Sequence, residues 1–324
     1  MDFDRLKKFV EHKSSPISNY DLLVLENEYY KQFAEVSESI HLIDSCLYEM
    51  DILSYVNKDH TGSFENLAIP NSAALVTNDQ KGKLSQIWAK VIEFLKKLWD
   101  QLSELFRKAK EFIFTKSKFL INKIDKIIKE IQAASTVFTI QFPDVQVTVK
   151  STSSAFDDLL KLGSIVTENM TLDQTKSTGS KLQEIDSELA KAEDTLEYHK
   201  QHPRMVTNDG HSLLIGLNSL KNTLKDNARY VDGYNKNIES AKTVMKKMHP
   251  DRFVGQDQTL PTAITSVASS ASASYKSAIK YIKNLTDTVE NSVKLVENQI
   301  NEHLFIEDMI QQILKDNKID LLSL

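Results

Sequence analysis

Few residues in this chain have types and spacing suited to chemistry. His199 and His202 stand three apart in "EYHKQHP", with Glu197 just before them and His211 after a short loop. Histidines at i and i+3 project from one side of a helical turn and can share a metal ion. The same residues lie beside Lys200 and Pro203 at a helix end, where cationic side chains favour the negative pole of the helix dipole. That role requires no further ligand, so no metal site is assigned. Cys46 is the single cysteine. It falls among regularly spaced apolar residues and reads as a small buried hydrophobe rather than a nucleophile.

Phosphate and acyl chemistry find less support still. The 324 residues include 8 glycines, none spaced as G-x-x-x-x-G-K-[ST] or G-x-G-x-x-G, so no backbone loop is expected to cradle a phosphate. No G-x-S-x-G nucleophile elbow occurs either. The expectation is a protein that is not an enzyme, with no catalytic residue, no cofactor and no metal.

The chain does supply helix. With 8 Gly and 6 Pro in 324 residues, against ordinary usage of about 7% and 5%, it has little to interrupt long elements. Residues 2–13 read as a short helix ended by Pro16, and Ser18-Asn19 can cap a second from Tyr20 to about Val56. Leu22, Leu25, Tyr29, Phe33, Val36, Ile40, Ile43, Leu47 and Met50 give that helix one apolar stripe. Asn57 to Gly82 loses the pattern among Asn, Asp, Thr, Gly, Ser and Pro, and is expected to be a linker. The division predicted is therefore an acidic helical arm at 1–56, a linker at 57–82 and a helical body at 83–324.

The body opens on "KLSQIWAKVIEFLKKLWDQLSELFRKAKEF", which carries both tryptophans. Its apolar residues recur at threes and fours over four heptads, and the pattern continues to about residue 130, a helix of about 75 Å. Trp88, Val91, Leu95, Trp99, Leu102 and Phe106 mark its candidate assembly or membrane face. The period changes to two in "TVFTIQFPDVQVTVKS", which predicts a β-hairpin at 137–149 turning at Pro143-Asp144. Phe138, Ile140 and Phe142 are its candidate contact residues. Further helices are expected at 154–169, 180–201, from Leu213 to before Pro250, and from Pro261 to about Lys318. In the last, "TAITSVASSASASYKSA" replaces large residues by Ala and Ser, so a partner helix can approach closely there. The fold class expected is mainly α, an elongated bundle of long amphipathic helices with one small β-hairpin.

Charge divides unevenly along this chain. Residues 1–80 carry 6 Lys/Arg against 14 Asp/Glu, and residues 81–130 carry 13 against 6. An acidic arm followed by a basic helix suggests electrostatics within the molecule or its assembly. The basic stretch also has the charge for nonspecific DNA contact that would weaken with salt. A membrane-surface role is less favoured, because Glu93, Asp100, Glu104 and Glu111 interrupt the polar face. No apolar window of bilayer length and no cleavable leader follows Met1, so the sequence reads as a soluble protein made in a reducing cytoplasm.

In the order of these parts the sequence resembles the internal virion (prohead core or internal head) proteins of large tailed bacteriophages. The resemblance rests on an acidic helical segment, "YDLLVLENEYYKQFAEVSESIHLID", then a linker, then the Trp/Lys-rich "IWAKVIEFLKKLWDQLSELF", then a long helical body. It implies a structural protein made in the host bacterial cytoplasm and packed inside the capsid, with capsid, portal or other virion proteins and copies of itself as partners, and ejection with the genome. It also implies that a head-maturation protease removes the N-terminal segment after an acidic residue, for which Glu65 in "GSFE" is the candidate. Long helices interrupted by one apolar hairpin also resemble the α-helical pore-forming toxins, in which such a tongue enters lipid.

Overall fold

A computed structural model describes residues 19–62, 78–133, 139–142, 154–162, 171–202, 204–207, 212–247 and 259–316. Five long helices make up nearly all of these residues: α1 (Asn19–Gly62), α2 (Asn78–Ala133), α3 (Leu172–Gln201), α4 (Ser212–Lys246) and α5 (Thr259–Asp316). Two short strands, β1 (Thr139–Phe142) and β2 (Arg204–Thr207), pair with each other. The mainly helical, bundle-like class expected from the sequence is what forms. At 56 and 58 residues, α2 and α5 are each about 85 Å long.

The helix directions follow from which numbered residues meet. Glu28 reaches Lys108 and Ser39 reaches Gln101, so α1 and α2 are antiparallel. Asp100 meets Lys242 whereas Asp125 meets Lys221, so α4 also runs against α2. Lys116 meets Asp287 and Lys123 meets Glu297, so α5 runs parallel to α2. α3 runs parallel to α5, pairing Asp186 with Ser274 and Glu193 with Lys280. α2 is thus the shared stave, packed by α1, α4 and α5, while α3 lies along α5.

That position explains the density of apolar residues on α2. Ile87, Trp88, Val91, Ile92, Leu95, Leu98, Trp99, Leu102, Leu105, Phe106, Ala109, Phe112 and Ile113 are all buried, and Leu120, Ile124, Ile127 and Ile131 continue the seam. A helix with partners on three sides needs an apolar arc broader than one a/d stripe. The Ala/Ser half of α5 also behaves as its composition suggests. Ala268, Ala271, Ser272 and Ser274 are buried, and Ser269 and Ser274 donate to Asp44 of α1 and Asp186 of α3, each at 2.8 Å.

Residues 154–161 form a helical stretch held against α4. Tyr234 Oη donates to the Phe156 carbonyl at 3.1 Å, and Asn237 Nδ2 to the Leu160 carbonyl at 3.1 Å. Gly233 sits where Leu160 packs, and a Cβ there would lie 2.5 Å from Leu160 Cδ2.

Several sequence expectations change. The linker proposed at 57–82 is helical at both ends, because α1 continues to Gly62 and α2 begins at Asn78; polar residues without periodicity still extend a helix once it has been nucleated. Residues 63–77, with Glu65, lie outside the described residues, as do the helix expected at 2–13 and the return strand of the expected hairpin at 145–149. Of that hairpin, β1 is present, but the partner it has among the described residues is distant in sequence. Ile140 pairs with Val206 and Phe142 with Arg204, antiparallel, and the two strands rest on α5 and α4. "RMVT" carries no strand signal in the sequence, because two adjacent apolar residues in four cannot display alternation. An isolated strand pair is marginal in water, so helical support is what such a pair requires.

α3 starts at Leu172, eight residues before the expected Ser180. The cause is a capping box: Thr171 Oγ1 accepts from the Gln174 amide at 3.3 Å, and Gln174 Oε1 accepts from the Thr171 amide at 3.0 Å. The T-x-x-Q spacing was readable in the sequence. Thr171→Ala is expected to cost about 1 kcal/mol, measured as a lowered midpoint in urea unfolding with an unchanged slope.

Candidate functional site

Among the described residues, those singled out for chemistry are not assembled into a reactive site. His202 stacks on Tyr198 with ring centroids 4.4 Å apart, and its Nδ1 lies 3.0 Å from the Tyr198 carbonyl. His199 meets the same tyrosine edge-on, while Glu197 accepts from Gln201. His211 lies outside the described residues. Among the described residues no three His, Cys, Asp or Glu side chains are placed to hold a metal ion. Cys46 is half-buried against the core, and burial together with Glu49 pushes its thiol above the ordinary value, away from a reactive thiolate.

The candidate assembly or membrane face also needs correction. Trp88, Val91, Leu95, Trp99, Leu102 and Phe106 are each no more than 2% exposed. Neighbouring helices of the same chain cover them, so in this fold they offer no apolar surface to lipid or to a partner. Phe138 lies outside the described residues; Ile140 and Phe142 are in β1. Among the described residues no helix is long and apolar enough to cross a membrane.

The described part of the molecule does contain a charged seam through its core, and most of its members lie on α5, outside the two oppositely charged segments of the sequence. Along it, carboxylates and lysines alternate across three helices. Glu26 of α1 meets Lys283 of α5 at 2.7 Å, and Lys283 meets Asp287 at 2.7 Å. Asp287 meets Lys116 of α2 at 2.6 Å, Lys116 meets Glu290 at 2.5 Å, and Glu290 meets Lys294 at 2.6 Å. The side chains of Lys283 and Lys116 are only 4% and 8% exposed. The Phe112 ring lies 5.3 Å from Lys116 Nζ and 5.8 Å from Lys283 Nζ, and Tyr30 flanks Lys283 at 4.9 Å. Such rings stabilise a desolvated ammonium that their own bulk helps to dry.

Electrostatics within the seam favours the charged forms. Burial opposes the charge on Lys283, but Asp287, Glu26 and Tyr30 outweigh it and hold the lysine above its ordinary value. Lys116 is raised in the same way, with Asp287 and Glu290 overcoming burial. Glu290 is also opposed by burial, yet Lys116 and Lys294 pull it below the ordinary carboxylate range.

Pairing between helices also accounts for part of the basic stretch at 81–130. Among the described residues, four of its lysines reach carboxylates on other helices: Lys108 to Glu28, Lys110 to Asp232, Lys116 to Asp287 and Glu290, and Lys123 to Glu297. Arg107 instead pairs with Glu104 on its own helix. Part of the positive charge on α2 is therefore met inside the chain. Lys90, Lys97, Lys118 and Lys129 face outward. No protein-family model, curated protein or solved structure is significantly similar to this chain.

A pH dependence follows from the seam. A carboxylate whose folded value is depressed stabilises the fold above its unfolded value and loses that contribution as pH falls through its folded value. Glu290 is depressed, as are Asp232, through Lys110 and Lys236, and Glu104, through Arg107. Asp186 is raised by burial, which Ser274 only partly offsets, and its effect has the opposite sign. With three groups against one, the melting temperature is expected to fall as pH drops below the ordinary glutamate value of 4.5. In Glu290→Gln the fall should be shallower, as read by thermal unfolding at stepped pH.

Proposed function

We propose that this chain is a non-enzymatic structural protein of a bacteriophage particle, an internal head or virion protein packed in the capsid and able to leave with the genome. The observation that carries the reading is the order of an acidic helix, a Trp/Lys-rich helix and a long helical body. The match of acidic α1 to lysines on α2 and α5 supports it by giving that order a physical purpose. A protein of this kind needs length, rigidity and a surface that tolerates crowding, and long helices with paired charges supply all three. The partners are capsid, portal or other virion proteins and further copies of this chain. The outward Lys90, Lys97, Lys118 and Lys129 are available for weak, salt-sensitive DNA contact.

Mass spectrometry of purified virions tests the reading directly. The chain is expected among the particle proteins, and its absence from particles that package DNA would reject the proposal. Peptides bounded at Glu65 would mark the proposed maturation cleavage.

A second reading, an α-helical protein that enters membranes, draws on the end of α5. There Phe305, Ile306, Met309 and Ile310 are 47–68% exposed. Leakage of dye from anionic vesicles, lost when Phe305, Ile306 and Met309 become Ser, would favour this reading over the first.

A further inference from the structure

α5 outlasts the long helices that run parallel to it. Glu193 of α3 meets Lys280 and Asn284 of α5, and α3 ends eight residues later at Gln201, so α5 passes that end at about residue 290. Lys123 of α2 meets Glu297, and α2 ends ten residues later at Ala133, level with about residue 307. α5 itself continues to Asp316.

The side of α5 that α3 covers does not turn polar where α3 stops. Ser274 and Asn284 face α3, meeting Asp186 and Glu193. Met309 stands five heptads beyond Ser274, and Phe305 three beyond Asn284, so both continue that stripe on a helix with a seven-residue seam. Phe305 is 68% exposed, and Ile306, Met309, Ile310 and Ile313 are 47–51% exposed. With half-buried Leu314 they form three doublets, 305/306, 309/310 and 313/314, about one per turn. Side chains of this size present on the order of 200 Å² each when free, so the face offers about 500 Å² in one copy.

Two features of this face select its occupant. The doublets make two ridges of residues four apart, 305-309-313 and 306-310-314, and interdigitation of such ridges is the commonest way in which two helices pack. The pattern is also unchanged by reversal about the midpoint of Met309 and Ile310, which exchanges Phe305 with Leu314 and Ile306 with Ile313. Complementarity to its own reverse is what a two-fold interface between identical chains requires. Lipid is a poorer match. Exposed Glu302 and Asp316 bracket the apolar turns, and carboxylates are repelled by an anionic bilayer and costly to bury in any other.

We propose that two copies of the chain associate through the ends of their α5 helices, packed antiparallel with Met309 and Ile310 at the two-fold axis. The pair covers about 1,000 Å², the lower limit for a specific interface, so the dimer is weak and forms as concentration rises. It gives the self-association of the assembly reading a location but rests on the exposed face, and its test involves no virions, so either can fail alone.

Sedimentation equilibrium of the full chain at stepped concentrations is the first test. The unsubstituted protein is expected to move from 36.9 kDa toward twice that mass, and the variant with Ile306→Glu and Met309→Glu to remain a single chain. Both positions are exposed, so helix content and melting temperature should hold in the variant. A single chain at every concentration overturns the proposal, and does so in favour of lipid if that protein releases dye from anionic vesicles. A dimer that survives the double substitution overturns it as well. Thiol pairing reads the orientation without relying on that variant. In a Cys46→Ser background, Ile306→Cys is introduced into one preparation and Ile313→Cys into another. Mild oxidation is expected to give a covalent dimer from the mixture and none from either preparation alone. No dimer from the mixture, or a dimer from Ile306→Cys by itself, which marks a parallel pair, overturns the proposal.

Discussion

Asp287→Ala should lower stability by about 3 kcal/mol, the scale of loss when one partner leaves a buried ion pair. Asp287 is the link between both buried lysines, at 2.7 Å from Lys283 and 2.6 Å from Lys116. Its removal leaves Lys283 with Glu26 and Lys116 with Glu290, each ammonium desolvated and short of one carboxylate. The loss thus comes mainly from two under-compensated charges, not from the attraction removed. Removing charge of both signs should do less harm. Lys283→Met combined with Asp287→Leu is expected to recover a large part of the loss, because Met covers Phe112 and needs no partner. A double-mutant cycle by denaturant unfolding reads the coupling. A double variant as unstable as the sum of its singles would show that the two residues act independently.

Trp99→Ala should cost about 4 kcal/mol, within the range for deleting a buried aromatic ring. Trp99 is fully buried on the stave shared by three helices, so the cavity opens where neighbouring helices have least freedom to close it. Trp99→Phe is the informative companion. The indole Nε1 is buried and has no hydrogen-bond partner among the described residues, a cost that phenylalanine removes along with part of the ring. A loss of about 1–2 kcal/mol is therefore expected for Phe, from the volume difference less the relief of the orphan donor. Equal losses for the two substitutions would place the energy in something other than packing. Circular dichroism alongside the unfolding curves distinguishes a weakened bundle from a lost one.

Helix was legible in the sequence wherever apolar residues repeat over many turns. The pattern from Ile87 to Ile131 identified α2, and Leu213 to Met248 located α4 to within a few residues at each end. Helix ends were less legible. Gly62 and Asn78 lie in polar stretches where period is silent, and the start at Thr171 is marked only by a capping box, with no apolar period beside it. β2 was not legible, since four residues carry too little pattern and their partner is sixty-odd residues away.

The role of Trp88 and Trp99 also needed the third dimension. Counting heptads favoured a bundle stave over a membrane face, but one stripe cannot reveal how many neighbours cover it. Burial of Leu98, Leu105 and Ile113 as well as Trp99 and Leu102 shows a helix packed on several sides.

By itself the sequence determined that the chain is helical, that its helices are long and amphipathic, and that an acidic segment precedes a basic one. Those are local properties, set by spacing, propensity and the scarcity of Gly and Pro, and they survive any choice of neighbours. Tertiary structure alone decided which charge meets which. Lys116 lies in the same basic stretch as Lys118, yet one is buried between Asp287 and Glu290 and the other faces water. The difference is two residues on a helix, about 200° of rotation, combined with the parallel course of α5, and contacts between residues so distant in sequence leave no periodic trace along it.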